Sequence, residues 1–174
     1  PKLLNKDLNI KFLRNYKFNT SIDVGANVGT YAVELQKNSS QLLCFEPILR
    51  NIKFLKILLN RNSKFFAYAL GNENKKIDIK IPIINKNQYD YALSSINNDF
   101  QSFKKKNITI KKFDDIFFKK YLNSNIDFVK IDVEGHEYFV LKGMKKTIKK
   151  NRPIFLIEIE KRHDKSYNNT LKFL

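Results

Sequence analysis

A single cysteine, Cys44, and two histidines stand in 174 residues. One thiol excludes an internal disulfide framework. With so few imidazoles it also excludes a Cys/His zinc site, and no metal is expected. Glycine and proline are scarce, at five and four. No Pro/Gly/Ser-rich linker and no internal repeat divides the chain, so residues 1–174 are expected to form one domain, large enough to enclose a single core. No apolar run nears the roughly 18–20 residues that a membrane helix needs; stretches such as Pro153–Ile157 are short and end in charge. The opening Pro1-Lys2-Leu3-Leu4-Asn5-Lys6 lacks the apolar centre of a secretory leader, and a cytoplasmic location is expected. The chain starts without Met, which suggests trimming or a longer parent chain.

Acidic residues are also in short supply: 17 Asp+Glu face 33 Lys+Arg, a formal charge of +16. Such a surplus concentrates anions, among them nucleic acid, acidic glycans and phospholipid headgroups. The 21 asparagines and the many Ile and Lys residues are equally what codon bias in an AT-rich genome produces. The lysines are scattered, with dense spots such as Lys104-Lys105-Lys106 and Lys145-Lys146. Hydrophobic residues at 43% and charged residues at 29% fit a globular chain.

Ser21–Val24 reads as a short strand that enters a Gly-containing turn, and Thr30–Lys37 as a helix. Gln41–Phe45 is a continuous apolar run, the mark of a strand covered on both faces. It stops at Glu46-Pro47, where Pro47 can open a helix reaching about Asn60. Phe65–Leu70 reads as a third strand closed by Gly71-Asn72. Alternating Ile77, Ile79, Ile81 and Ile83 make Lys76–Ile84 a half-exposed antiparallel strand. Asn85–Phe100 is polar and loop-like, Ile108–Ile110 is a short strand, and Asp114 is placed to cap a helix through about Tyr121. Asp127–Val133 is a buried strand, His136–Lys149 a helix, Ile154–Ile159 a last strand, and the tail near Thr170–Leu174 is helical. This alternation predicts an α/β fold: a mostly parallel sheet with helices on both faces. Ligands of such sheets sit beyond the carboxyl ends of the strands, where strand order reverses.

The segment Asp23-Val24-Gly25-Ala26-Asn27-Val28-Gly29-Thr30-Tyr31 carries the most information. Gly25 permits a sharp turn that no side chain blocks, Asn27 tolerates the left-handed conformation, and Gly29 lets the helix start pack close to the strand. The turn's N–H groups would then face an anionic or polar group. Asp23 is placed to fix the loop by hydrogen bonds or to reach an ammonium through a water. The glycine spacing matches neither G-x-G-x-x-G nor a P-loop, in which Lys and Ser/Thr follow the last Gly. Glu46, at the second strand end, can accept both hydroxyls of a ribose, or can simply favour a helix start.

Asp23–Gly29, Phe45-Glu46-Pro47, Ala69-Leu70-Gly71 and Val129-Lys130-Ile131-Asp132-Val133-Glu134-Gly135-His136-Glu137 stand in one order. In this the chain resembles the FkbM family of S-adenosylmethionine-dependent methyltransferases, from about Thr20 to Glu158. The resemblance implies a class I methyltransferase (Rossmann-like) fold. It implies S-adenosylmethionine as methyl donor and S-adenosylhomocysteine as product. The donor's methionine part would lie on the loop of Asp23, Gly25, Ala26, Asn27, Gly29, Thr30 and Tyr31. Its ribose would lie on Glu46 beside Pro47, and its adenine against Ala69 and Leu70. Asp132 and Glu134 would face the methyl group and the acceptor, a hydroxyl on a small molecule or carbohydrate. Only about 15 residues follow Ile159, where such folds continue to a sixth and seventh strand, so the last strands are expected to be missing.

Methyl transfer to a hydroxyl is helped by a general base. Asp132, Glu134 and His136 are the candidates, with Glu158 behind them. His136 titrates near neutrality, or faces water from the first turn of its helix. Asp132 is alternatively a structural partner of loop N–H groups. Lys130, inside a strand, needs an acid such as Asp132 or Glu158. Cys44 reads as a buried small hydrophobe, and Tyr89 and Tyr91, beside Ser94-Ser95, as a cover over the donor pocket. Two other readings stay open: an RNA methyltransferase, suggested by the charge, and a donor-binding domain without catalysis.

Overall fold

The continuous apolar stretches become the inner strands of a parallel sheet. The computed structural model describes residues 8–85, 88–91, 94–96, 101–117, 125–159 and 167–174. The chain runs α1 (Leu8–Leu13), β1 (Phe18–Val24), α2 (Ala32–Asn38), β2 (Ser39–Phe45), α3 (Leu49–Leu58), β3 (Ser63–Phe66), β4 (Ala69–Gly71), β5 (Lys75–Asn85), β6 (Gln88–Tyr89) and β7 (Phe103–Lys112). It continues α4 (Phe113–Phe117), β8 (Ile126–Ile131), α5 (Glu137–Gly143), α6 (Lys145–Asn151), β9 (Ile154–Ile157) and α7 (Tyr167–Phe173).

Five strands form the first sheet in the order β3-β2-β1-β8-β9, and every pair in it is parallel. The two-residue period of each strand sends alternate side chains to opposite faces. Ile22, Val24, Leu43, Phe45, Val129 and Ile131 pack on one face with Val140, Leu141 and Met144. Leu42, Cys44 and Phe128 pack on the other with Leu35, Ile52 and Leu55. Both faces are thus covered, which is why the strand sequences show so little polar alternation. Cys44 is buried, and burial pushes its thiol well above the ordinary range. No helix among the described residues is long and apolar enough to cross a membrane.

The register brings the strand ends level: Phe66 beside Phe45, Phe45 beside Val24, Val24 beside Ile131, and Ile131 beside Ile157. From β1 the chain moves outward through β2 and β3, then returns on the other side as β8. Strand order therefore reverses between β1 and β8, and the loops after these two strands meet there.

The structure departs from the sequence reading in several places. The expected strand Phe65–Leu70 is two strands in two sheets. Its first part is β3; its second, β4, pairs in parallel with β7 in a sheet of order β4-β7-β5-β6. Between them Tyr68 packs on Phe45 and Phe66. β7 runs over ten residues rather than three, because antiparallel pairing with β5 from Lys75↔Ile110 to Pro82↔Phe103 overrides the poor strand propensity of its lysines. The expected helix from His136 breaks into α5 and α6 at Met144. A Cβ on Gly143 would stand 1.9 Å from the Gly71 carbonyl, so the end of α5 presses directly on β4. Asp114 lies inside α4 and caps α6 instead, accepting the N–H groups of Lys146 (2.7 Å) and Thr147 (3.0 Å). Residues 118–124, where the expected helix continued, lie outside the described residues.

Candidate active site

The turn after β1 is built for close approach. Gly25 (φ 79°), Asn27 (φ 46°) and Gly29 (φ 92°) all take the left-handed region. A Cβ on Gly25 would stand 1.9 Å from the Asp132 carbonyl oxygen, so only glycine lets the loops after β1 and β8 touch. Gly29 faces the leucines of α3 rather than a strand: a Cβ there would meet Leu55 at 2.9 Å and Leu58 at 3.0 Å. The turn's own amides are largely used within the fold. Gly25 and Ala26 donate to the Phe45 carbonyl, Gly29 donates to Ala26, and Asn27 donates to Glu46. The expected nest of free N–H groups is therefore not formed by these four.

Glu46 is the hinge of the arrangement. It is 5% exposed. Oε2 accepts the Asn27 N–H at 3.0 Å and Oε1 the Ile48 N–H at 2.8 Å. Burial raises its pKa to about 7, against the hydrogen bonds from Ile48, Asn27 and Asn51. Asn51 Nδ2 also donates to Asn27 Oδ1 at 3.1 Å, so α3 holds the same turn.

Beneath the turn, Lys130 of β8 sends its ammonium to Asp132 (3.0 Å), to Asp23 (3.5 Å) and to the Gly25 carbonyl (3.4 Å). The Tyr31 ring lies 5.0 Å from it. Burial alone would push the Lys130 pKa down; Asp23 and Asp132 outweigh it and hold the pKa above its ordinary value. Asp23, wholly buried, is raised by desolvation against the pull of Lys130. Asp23 thus fixes the loop through an ion pair, and Asp132 is partnered by a cation rather than by loop N–H groups. Lys130 meets two acids, of which the sequence reading named Asp132.

The turn after β8 is held by Glu137, 1% exposed, whose Oε1 accepts the N–H groups of Val133 (3.2 Å) and Gly135 (3.1 Å). Glu134 takes φ 51°, and its carbonyl accepts the Ser95 hydroxyl at 2.8 Å. Ser95 in turn pairs its backbone with Lys80 of β5. The second sheet is therefore tied to the first exactly where the site lies. His136 does not face water. It is 8% exposed, stacks on Phe139 with ring centroids 4.7 Å apart, and among the described residues neither ring nitrogen has a hydrogen-bond partner. Burial, aided by Lys75, lowers its pKa to about 4, so the ring is neutral at pH 7.

These elements enclose a cavity of about 230 Å³. Gly25, Asn27, Glu46, Pro47, Ala69 and Leu70 form one wall; Asp132, Glu134, His136 and Glu158 border it from the loops after β8 and β9. Ile79, Ile108, Tyr91 and Ser94 close it from the second sheet and its loop. Asp23, Ala26, Gly29, Thr30 and Tyr31, also expected at the donor, are not among the residues that line it. Tyr91 reaches the cavity, and Tyr89 packs behind it at 6.1 Å. Four acidic residues line the space, and among the described residues no lysine or arginine does. Among the described residues no three His, Cys, Asp or Glu side chains gather as a cation site.

Two contributors escaped the sequence reading as site residues. Lys130 was legible only as a charge in need of an acid. Glu137 sat in the most specific motif without a role, because a carboxylate clamping two amides of a preceding turn has no periodic signature. Both act on loop shape rather than on the cavity surface.

The methyltransferase FkbM domain family matches residues 23–174. The crystal structure of methyltransferase FkbM from Methylobacillus flagellatus KT superposes with a TM-score of 0.59 at 17% identity, over 88% of this chain and 36% of that one. The chain thus spans about a third of the length of that protein, and the likeness shows the fold. No curated protein matches the sequence significantly. The family match covers the turn after β1, Glu46 and the loop after β8 together, and on it the chain belongs to the FkbM methyltransferase family.

Proposed function

We propose that the chain binds S-adenosylmethionine in this cavity and transfers its methyl group to a hydroxyl, on a sugar or a glycan-like small molecule. One observation carries the donor: in a chain of charge +16, the described residues lining the cavity include Glu46, Asp132, Glu134 and Glu158 and no Lys or Arg. A dinucleotide or nucleoside triphosphate calls for cations or free amides around its phosphates. An acid-lined cavity suits a cationic sulfonium nucleoside instead. The residues present fit such a group. Glu46, which accepts from Asn27, Ile48 and Asn51, keeps a lone pair for a ribose hydroxyl, and Ala69 and Leu70 offer apolar surface beside it. The hydroxyl acceptor is what membership of the family suggests.

When bound, the donor supplies an already activated methyl group, so the protein's task is chiefly positioning. Gly25 and Asn27 set the wall against which the donor lies. Lys130 holds Asp132 and the Gly25 carbonyl in place and is a positioning residue. His136 borders the cavity with both ring nitrogens buried, so Asp132 and Glu134 are the side chains left to meet the acceptor hydroxyl. The hydroxyl proton becomes strongly acidic as its oxygen gains the methyl group, so a carboxylate is a sufficient base.

Titration calorimetry with S-adenosylmethionine and S-adenosylhomocysteine tests the donor. Micromolar binding of either supports the reading, and folded protein that binds neither overturns it. Transfer of a labelled methyl group to a panel of sugars then tests the acceptor. Donor binding without transfer to any sugar would favour a donor-binding domain.

A further inference from the structure

We infer that the acceptor is a sugar bearing an anionic group, a carboxylate, sulfate or phosphate, and that Arg50 and Lys104 at the cavity mouth read that group. This deepens the methyltransferase reading and rests on it.

The register of the second sheet supplies the first argument. Residues directly opposite one another in an antiparallel pair share a face. Ile79, which lines the cavity, stands opposite Lys106, and Ile81 opposite Lys104. Two residues of the lysine run therefore point to the cavity side of the sheet. The second argument is a chain of contacts around the mouth. Lys104 lies 5.4 Å from the Tyr89 ring, Tyr89 lies 6.1 Å from Tyr91, and Arg50 lies 5.2 Å from the Tyr91 ring. Tyr91 borders the cavity, and Arg50 stands in the first turn of α3, just past Glu46, Pro47 and Ile48 on the donor wall. The two tyrosines thus hold one cation from α3 and one from β7 just outside the cavity lining. Both cations are exposed, and neither is ion-paired to a carboxylate among the described residues.

Among the described residues charge is therefore sorted: acidic residues line the cavity and the two cations stand outside it. Codon bias alone spreads lysines without such sorting. The resulting field holds an anionic substituent outward and turns a hydroxyl of the same sugar inward, toward the acid-lined space. An RNA strand fits less well. Sequence-independent binding of single strands relies on open aromatic faces for the bases. Here each ring has a cation over one face, and the two planes are inclined by 53°.

The test is binding at about 0.15 M salt, where non-specific attraction is screened. The probes are hyaluronan tetrasaccharide, a chondroitin sulfate tetrasaccharide, mannose 6-phosphate, neutral chitotetraose and an oligouridylate. The proteins are the full chain, R50Q/K104Q, and K149Q/K150Q, which removes the same charge from exposed positions on α6. At least one anionic sugar is expected to bind more tightly than chitotetraose; which one does so separates carboxylate, sulfate and phosphate. Loss of two rim contacts is expected to weaken it by about tenfold, and K149Q/K150Q by less than about twofold. Equal losses in the two variants, equal binding of chitotetraose, no binding of any anionic sugar, or tighter binding of oligouridylate than of every sugar would each overturn the inference. S-adenosylhomocysteine, titrated on the same samples, separates the two levels. If it binds all three proteins alike while the sugars fail, only the acceptor inference falls. If it does not bind the folded chain, the methyltransferase reading falls and the inference with it.

Discussion

Glu46 accepts the backbone N–H of Asn27 at 3.0 Å and so ties the end of β2 to the turn after β1. Glu46→Gln keeps the volume but turns an amide NH2 toward one of two N–H donors. A hydrogen bond to a charged acceptor contributes about 1.5–3 kcal/mol, so affinity for S-adenosylhomocysteine should fall roughly 10–100-fold. Titration calorimetry reads this directly, and an unchanged dissociation constant would remove Glu46 from the donor site.

The same carboxyl makes donor affinity depend on pH. Its pKa is about 7 in the free protein, and ribose hydroxyls donate to the ionised form. Binding should weaken as pH falls below about 7, approaching a tenfold loss per unit, because a proton must leave Glu46 first. The Glu46→Gln protein should show no such slope. Calorimetry between pH 5.5 and 8 distinguishes the two.

Gly25→Ala tests the contact between the loops after β1 and β8. The new Cβ would stand 1.9 Å from a backbone oxygen at a residue with φ 79°. Neither atom is the end of a flexible side chain, so one loop must move. Overpacking and left-handed strain together should cost about 2–4 kcal/mol. Urea unfolding measures that loss, and calorimetry the accompanying loss of donor binding.

Lys130→Met strips both Asp23 and Asp132 of their cation. Asp132 is partly solvated, but Asp23 is wholly buried. Breaking a buried pair on one side costs about 3–5 kcal/mol, since an uncompensated charge remains. Asp23→Asn in the same chain should restore part of it. A double variant no more stable than Lys130→Met would show that the loss comes from Asp132 or from packing.

The sequence made the strand ends legible wherever apolar runs were unbroken. Val24 and Phe45 end their strands as read, because parallel strands covered on both faces carry their burial in composition. The left-handed turn at Asn27 was legible for the same local reason. Contacts between distant segments were not. Nothing local announces that Leu70 belongs to a different sheet from Phe66, or that Gly143 must clear the Gly71 carbonyl. α1 was missed although Ile10 and Leu13 stand three apart and bury fully, since two apolar positions are a weak helical signal. At the site, Gly25, Asn27 and Glu46 stood out by their motif, and Ala69, Leu70, Asp132 and Glu134 by resemblance to the family, whereas Ile79 and Ile108, which border the cavity from the second sheet, were not named as site residues. Lys130 and Glu137, which shape the loops, depend on burial and on partners that the sequence does not display.

His136 gives the molecule an acid sensitivity that Glu46 offsets. The His136 pKa falls from 6.5 to about 4 on folding. Its contribution to stability is full above pH 6.5 and is lost as pH falls toward 4, because the unfolded chain takes up the proton first. The Glu46 pKa rises from 4.5 to about 7. Its contribution is full below pH 4.5 and is lost as pH rises through 7. Each shift corresponds to about 3 kcal/mol across its window. Between pH 4.5 and 6.5 the two slopes oppose and nearly cancel. His136→Gln should therefore gain stability relative to the parent as pH falls from 7 to 4.5, and Glu46→Gln should lose it. Urea midpoints of the three proteins at four pH values in this range decide the matter, since all other titrating groups are common to them. Parallel curves for His136→Gln and the parent would show that the ring is solvated and protonates freely in the folded chain.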